Sequence, residues 1–405
     1  MRRLNLKSAQ TAHFGMIRDI NRQIVLNYVR DRGPISRAEM ARETLLQRST
    51  VSAIVDALVG EGVVEEIGKG ESTGGRCPTL LRLRVGRPAV IGVDISPTYT
   101  TVASSDIAGT ILEKRQFLTN PDFEKTLSQA IEHVVELGAK GSGNIEGVGV
   151  VLPGLVDPLS GKALYIPYFD WRDLDVEQRI ASATGFRVMI DNDANAAALA
   201  ELWFGSPEVS ETRDFILVFV SEGLGTGIIL DRQIYRGAAG GAGEFGHMII
   251  GQEAPVACSC GSYDCWEAFA SGRATVARYA RLIAQRDDAT QLTFAELIEH
   301  ALQGEAEART ALLETAQNLS IGISNLIVGF SPELIIIGGP IARAWPLFAD
   351  VLSQIVQRSV RRGLPSARII ASTLGERTTL MGALSLVLSV KFTCDVVSTH
   401  VTSFA

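Results

Sequence analysis

Residues 243–267 read GEFGHMIIGQEAPVACSCGSYDCWE. The span gathers His247, Cys258, Cys260 and Cys265 and brackets them with Glu244 and Glu267. One imidazole and three thiols at this spacing suit a closed tetrahedral zinc site, and Gly261 frees the backbone between Cys260 and Cys265. The cysteines alone have two other readings, a redox cluster or small buried hydrophobes. Carboxylates accept strongly from hydroxyl groups, so Glu244 and Glu267 suggest a polyol. The stretch therefore predicts a structural zinc knot that holds a face of hydroxyl acceptors rigid. Cys77 and Cys394 stand apart as plain thiols. Five cysteines in all argue against a disulfide framework and for a reducing compartment.

Around this stretch lie 405 residues, 46% hydrophobic, enough for two or three domains. Met1–Gly15 has early charge and no apolar run, so no signal peptide is expected. The greasiest segments, Leu334–Gly339 and Leu384–Val390, fall far short of the ~20 residues a membrane span needs. A cytoplasmic protein without a membrane partner is expected. The net charge of −7 is unevenly spread. Residues 1–88 hold 15 Lys+Arg against 9 Asp+Glu, and the rest 23 against 36. A basic head on an acidic body suggests nucleic acid for the head and a small neutral ligand for the body.

In the head, residues 17–31 place Ile17, Ile20, Ile24 and Tyr28 on one helical face. Gly33-Pro34 ends that helix, and Ser36 with Glu39 forms a capping box for the next. After a turn at Leu46–Arg48, Ser49 is placed to cap a further helix. Its apolar stripe is Val51, Ile54, Val55, Leu58 and Val59, with Gly60 and Gly62 closing it. Two such helices make a helix-turn-helix. Its second helix presents Arg48, Ser49, Thr50, Ser52 and Asp56 to a major groove. Val63–Glu66, a glycine-rich turn and Leu80–Arg84 then make a wing. Arg76 in that turn is suited to a narrow A·T minor groove. The expected partner is double-stranded operator DNA, read by paired heads of a homo-oligomer, dimer or tetramer. Gly86-Arg87-Pro88 reads as the hinge to the body.

The body alternates strands and helices in two similar series. The first runs from Val90–Asp94 to the helix Ala194–Phe204. The second runs from Phe215–Val220 to a last helix near Thr378–Val390. Two α/β halves with a ligand between them are expected. The divisions are 1–86 for the winged head, 87–205 for the first lobe and 206–405 for the second. The last helix is expected to pack back on the first lobe.

The head, the GEFGH segment and CSCGSYDCWE together resemble the ROK family of repressors and sugar kinases. The family's C-x-C-G-x-x-G-C-x-E pattern is matched by Cys258, Cys260, Gly261, Cys265 and Glu267, with Asp264 in place of its second glycine. The resemblance implies an α/β actin-like fold of the sugar kinase and Hsp70 type behind the winged helix-turn-helix. It also implies that Asn192 and Asp193 of DNDANAAALAE correspond to a hydroxyl-binding asparagine and the catalytic aspartate of the kinases. Glu244, His247 and Glu267 correspond to the remaining sugar contacts, with His247 touching both sugar and zinc. Without the resemblance, DND before an alanine-rich helix is first a helix cap.

The kinases also bind nucleotide phosphates on glycine turns, and here the matching positions differ. Asp94 is followed by Ile95, Ser96 and Pro97, and a proline removes one N–H donor. Ser221-Glu222-Gly223 stands where the kinases carry G-T-G. A carboxylate there opposes a triphosphate by about 4 kcal/mol at ~4 Å and an effective dielectric of 20. Pro340 replaces the third glycine of Gly338-Gly339-Pro340. The expectation is a sugar-responsive repressor without kinase activity. The alternative is a kinase that keeps a DNA-binding head.

Overall fold

In the computed structural model the first three helices are Phe14–Arg32, Arg37–Thr44 and Arg48–Gly60. The structure describes residues 14–70, 77–141, 145–285, 292–360, 363–364 and 367–393. Ser36 caps the second helix as the motif predicts: its hydroxyl accepts from Glu39 N, and Glu39 Oε2 accepts from Ser36 N at 2.9 Å. The third helix starts one residue before Ser49, with Gln47 at the cap and no side-chain cap bond. Ser49 thus lies inside the first turn, because the left-handed Leu45 ends the preceding helix and sets the entry. Val51, Ile54, Val55 and Leu58 are buried, whereas Val59 is half-buried. Strands Val64–Lys69 and Thr79–Leu83 pair antiparallel as the wing. Arg76 lies outside the described residues.

The first helix turns a different face to the core than its isoleucines suggest. Val25, Leu26 and Val29 are buried, while Ile17 is 47% exposed. The helix is apolar on two sides, and Ile20, Ile24 and Tyr28 border Phe392 of the last helix instead.

Each lobe carries a five-stranded sheet of the same connectivity. In the first lobe Val90–Ile95 is central. Tyr99–Ser105 and Ile111–Leu118 continue antiparallel on one side, and Gly147–Leu152 and Val188–Asn192 run parallel on the other. In the second lobe Phe215–Val220 is central. Leu224–Leu230 and Gln233–Ile234 lie antiparallel on one side, and Leu334–Gly338 and Arg368–Ala371 parallel on the other. Central strands covered on both faces read as unbroken apolar runs, and FILVFV and LIIIG are buried throughout. The duplication seen in the sequence is thus a duplication of topology. A small antiparallel sheet, Leu155–Asp157, Lys162–Ile166 and Trp171–Leu174, was not foreseen. Its strands are too short to show a period.

Two helices join the parts. Asp193–Phe204 and Thr378–Phe392 are apolar on nearly every side, the mark of buried helices. The last helix lies on the first lobe's sheet so closely that a Cβ on Gly149 would fall 1.8 Å from the Ala383 carbonyl oxygen. The head shares this core. Val25, Leu26, Leu58 and Leu81 form one apolar cluster with Val90, Ala200, Leu384, Leu388 and Phe392. Asn27 Nδ2 donates to Phe392 O at 2.8 Å, and Gly86 N donates to Asp106 Oδ2 at 3.0 Å. Gly86-Arg87-Pro88 is therefore not a bare hinge, because packing and a pinned linker seat the head on the body.

Candidate ligand cleft and metal centre

Open α/β sheets bind ligands beyond the carboxyl ends of their strands, and the cleft between the lobes lies there. Pro97, Pro153, Gly154, Asn192 and Asp193 line it from the first lobe, and Ser221, Gly223, Glu244, His247 and Glu267 from the second. All five residues expected to contact sugar meet in this one cleft.

Asn192 ends a strand and caps the helix that follows. Its Oδ1 accepts from Ala194 N at 2.8 Å and Asn195 N at 3.2 Å, and its Nδ2 donates to Gly154 O at 2.9 Å. Asp193 opens the same helix, and its carboxyl is pushed up to about 7 by burial, with Asp94 and Glu244 adding repulsion. Asp94 is likewise raised by burial, to about 6, although Thr379 Oγ1 donates to it at 2.6 Å.

Glu244 and His247 occupy a 3-10 turn entered through Gly243 at φ 88°. His247 Nε2 lies 3.5 Å from Glu244 Oε2, and its Nδ1 lies 3.3 Å from Cys258 Sγ. Cys260 Sγ and Cys265 Sγ are 3.5 Å apart, and the four donor atoms lie within 4.8 Å of one another. Tetrahedral zinc with bonds of about 2.3 Å to sulfur needs edges of roughly 3.7 Å, so the set fits a metal ion. The imidazole would then offer Nδ1 to the metal and leave Nε2, 3.5 Å from Glu244 Oε2, on the cleft side.

Glu267 is less free than its sequence position suggests. Its Oε1 accepts from Ser259 Oγ at 3.0 Å and Arg273 NH2 at 3.1 Å, and its Oε2 accepts from Leu224 N at 3.2 Å. One carboxylate thereby ties the cysteine loop, the glycine turn and the following helix together. Arg273 was missed by sequence reasoning, since a lone arginine in a helix gives no signal. It borders an adjoining hollow with Glu222, Tyr279 and Phe294, so Glu222 lies beside a counter-charge. Burial raises the Glu222 carboxyl and Arg273 opposes that shift. Pro340 opens a 3-10 turn after Gly339 at φ 83°.

On the head, Arg48 and Ser49 are exposed, and Thr50 and Ser52 are half-buried. Ser49 and Thr50 also border a groove against Arg18 and Asn21 of the first helix. Asp56 lies 3.0 Å from Arg37, which also pairs with Glu66. Among the described residues no helix is long and apolar enough to cross a membrane.

The sequence profile described as ROK family matches residues 90–390. The xylose repressor of Caldicellulosiruptor bescii is 34% identical over 388 residues, covering 92% of this chain and 96% of its own length. The N-acetylglucosamine repressor of Escherichia coli O157:H7 is 28% identical over 391 residues, covering 94% and 95%. Among solved structures, a ROK family transcriptional regulator, a homologue of the E. coli MLC protein, superposes with a TM-score of 0.79. It is 24% identical and covers 93% of this chain and 97% of that one. A ROK family glucokinase from Streptomyces griseus in complex with glucose and AMPPNP gives 0.65 at 30% identity, covering 73% and 98%. These matches and the duplicated sheets agree on an actin-like α/β body behind a winged helix-turn-helix. This chain belongs to the ROK family.

Proposed function

We propose that this protein is a sugar-responsive DNA-binding transcriptional regulator, a repressor of carbohydrate-utilisation genes. The observation that carries the reading is the meeting of Asn192, Asp193, Glu244, His247 and Glu267 in one cleft, behind a winged head that shares its core with the body. Clustered acceptors suit a neutral polyol, and sites built to hydrogen-bond hydroxyls reject analogues that lack them. His247, Cys258, Cys260 and Cys265 hold a structural zinc ion that fixes the His247 ring. Arg48, Ser49, Thr50, Ser52 and Arg76 contact operator DNA. A homo-oligomer presents two heads to half-sites about 34–36 Å apart.

Pro97, Glu222 and Pro340 stand against phosphate transfer, and Asp193 binds a hydroxyl without activating it. The likeness to a glucokinase supports the second reading, a kinase with a DNA-binding head. Incubation with ATP, magnesium and D-xylose, D-glucose or N-acetyl-D-glucosamine separates the two. The repressor reading expects neither ADP nor phosphorylated sugar above background. Stoichiometric sugar phosphate would establish the kinase.

A further inference from the structure

Tyr168 lies in the turn Pro167–Phe169, between two strands of the small sheet in the first lobe. Its phenol nevertheless reaches the second lobe. A Cβ placed on Gly223 would fall 2.8 Å from the Tyr168 hydroxyl and 2.8 Å from Glu267 Oε2. The hydroxyl therefore rests over the bare backbone of Gly223, in the turn that stands where the kinases hold phosphate. It makes no hydrogen bond among the described residues. Burial and the charges of Glu267, Asp193 and Glu222 raise its pKa, against Arg273, so it stays a protonated donor. A hydroxyl that lines the cleft, unbonded to the protein and not shut away from solvent, is open to a partner that arrives from outside.

We propose that Tyr168 is a specificity-determining residue of the cleft. Its hydroxyl bonds to a hydroxyl of a bound neutral monosaccharide, and the end of its ring closes the space over Gly223 to a phosphate group. The inference rests on the sugar-binding reading above. It adds a cleft residue that reaches from the first lobe to the second, and it specifies the unphosphorylated form of the ligand.

The test is calorimetry on the full-length, zinc-loaded protein with D-xylose, D-glucose, N-acetyl-D-glucosamine and D-glucose 6-phosphate. Wild type is expected to bind at least one neutral sugar and to refuse the phosphate ester. Tyr168→Phe, which keeps the ring, should weaken the neutral sugar about 5–20-fold, with zinc content and sugar-free operator affinity unchanged. Tyr168→Ala should also narrow the preference for neutral sugar over the ester. Binding by Tyr168→Phe within twofold of wild type overturns the inference while leaving the sugar reading intact. So does an unchanged neutral-to-phosphate ratio in Tyr168→Ala. Absence of binding by wild type overturns both.

Discussion

The Arg30 guanidinium of the DNA-binding head lies 4.6 Å from the centre of the Trp203 ring and 4.9 Å from that of Phe392. Trp203 stands near the end of the helix that begins at Asp193 in the cleft. Twelve residues of α-helix at 1.5 Å each make a rod of about 18 Å between ligand and head. A ligand that shifts the start of this helix acts on the head directly. Trp203→Ala should keep sugar affinity within about twofold but reduce the sugar-induced change in operator affinity. Coupling energies of this kind are typically ~1–3 kcal/mol, and cation–π contacts contribute about 0.5–2 kcal/mol. A loss of about 1 kcal/mol, or roughly fivefold in response, is expected from operator titrations with and without sugar.

The metal centre should hold the ligand site in shape. Cys260→Ser removes one thiolate, and with it the brace on His247. Elemental analysis should show loss of zinc, and calorimetry a loss of sugar affinity of at least about tenfold, a typical effect of disturbing a ligand shell. A zinc-free variant that binds sugar normally would separate the two.

Sugar binding should depend on pH through Asp193. Its carboxyl is raised from 3.8 to about 7, chiefly by burial. Between those values the folded protein keeps a proton that the unfolded chain has released. This group's contribution to stability therefore falls as pH rises toward 7 and is level above it. Hydroxyl donors prefer the carboxylate, so sugar affinity moves the other way. It should rise by up to about tenfold per pH unit below 7 and level off above. Dissociation constants measured from pH 5.5 to 8.5 check this, and Asp193→Asn should flatten the profile.

Asp191 lies next to the end of the strand Val188–Asn192 in the first lobe and is buried, with Arg236 of the second lobe donating to its Oδ2 at 2.8 Å and 2.6 Å. Arg236→Ala removes the counter-charge of that carboxylate and leaves it only the bonds from Asn192 N and Asn195 Nδ2. Breaking one side of a buried pair costs about 3–5 kcal/mol, and the one-third exposure of Arg236 places this case near the lower end. Urea unfolding should show the loss, and Arg236→Lys should recover part of it.

Much of this architecture is legible in the chain because it rests on local chemistry. The Ser36–Glu39 box, the stripe Val51–Leu58 and the runs FILVFV and LIIIG each declare their element without reference to distant residues. His247 and the three cysteines are close in sequence and remain so in space. What stayed hidden depends on packing between distant parts. Ile17 looks like core but is exposed, because Val25, Leu26 and Val29 meet a helix some 350 residues later. Glu267 looks like a free acceptor, yet Arg273 and Leu224 N occupy it. Tyr168 and Arg236 sit in short connections without periodicity, and only the approach of the two lobes sets the first over Gly223 and pairs the second with Asp191. The seating of the head beside Gly86 is hidden for the same reason, since the last helix supplies part of the core they share.

The most direct test of the account is one titration of the full-length protein onto its own promoter region. It is run with and without each of D-xylose, D-glucose and N-acetyl-D-glucosamine, and in each case with and without ATP. The account predicts that one sugar changes operator affinity by about 5–150-fold, that ATP leaves the change unaltered, and that Asp193→Asn blunts it without weakening sugar-free DNA binding. A response that requires ATP, or that follows the appearance of phosphorylated sugar, would contradict it.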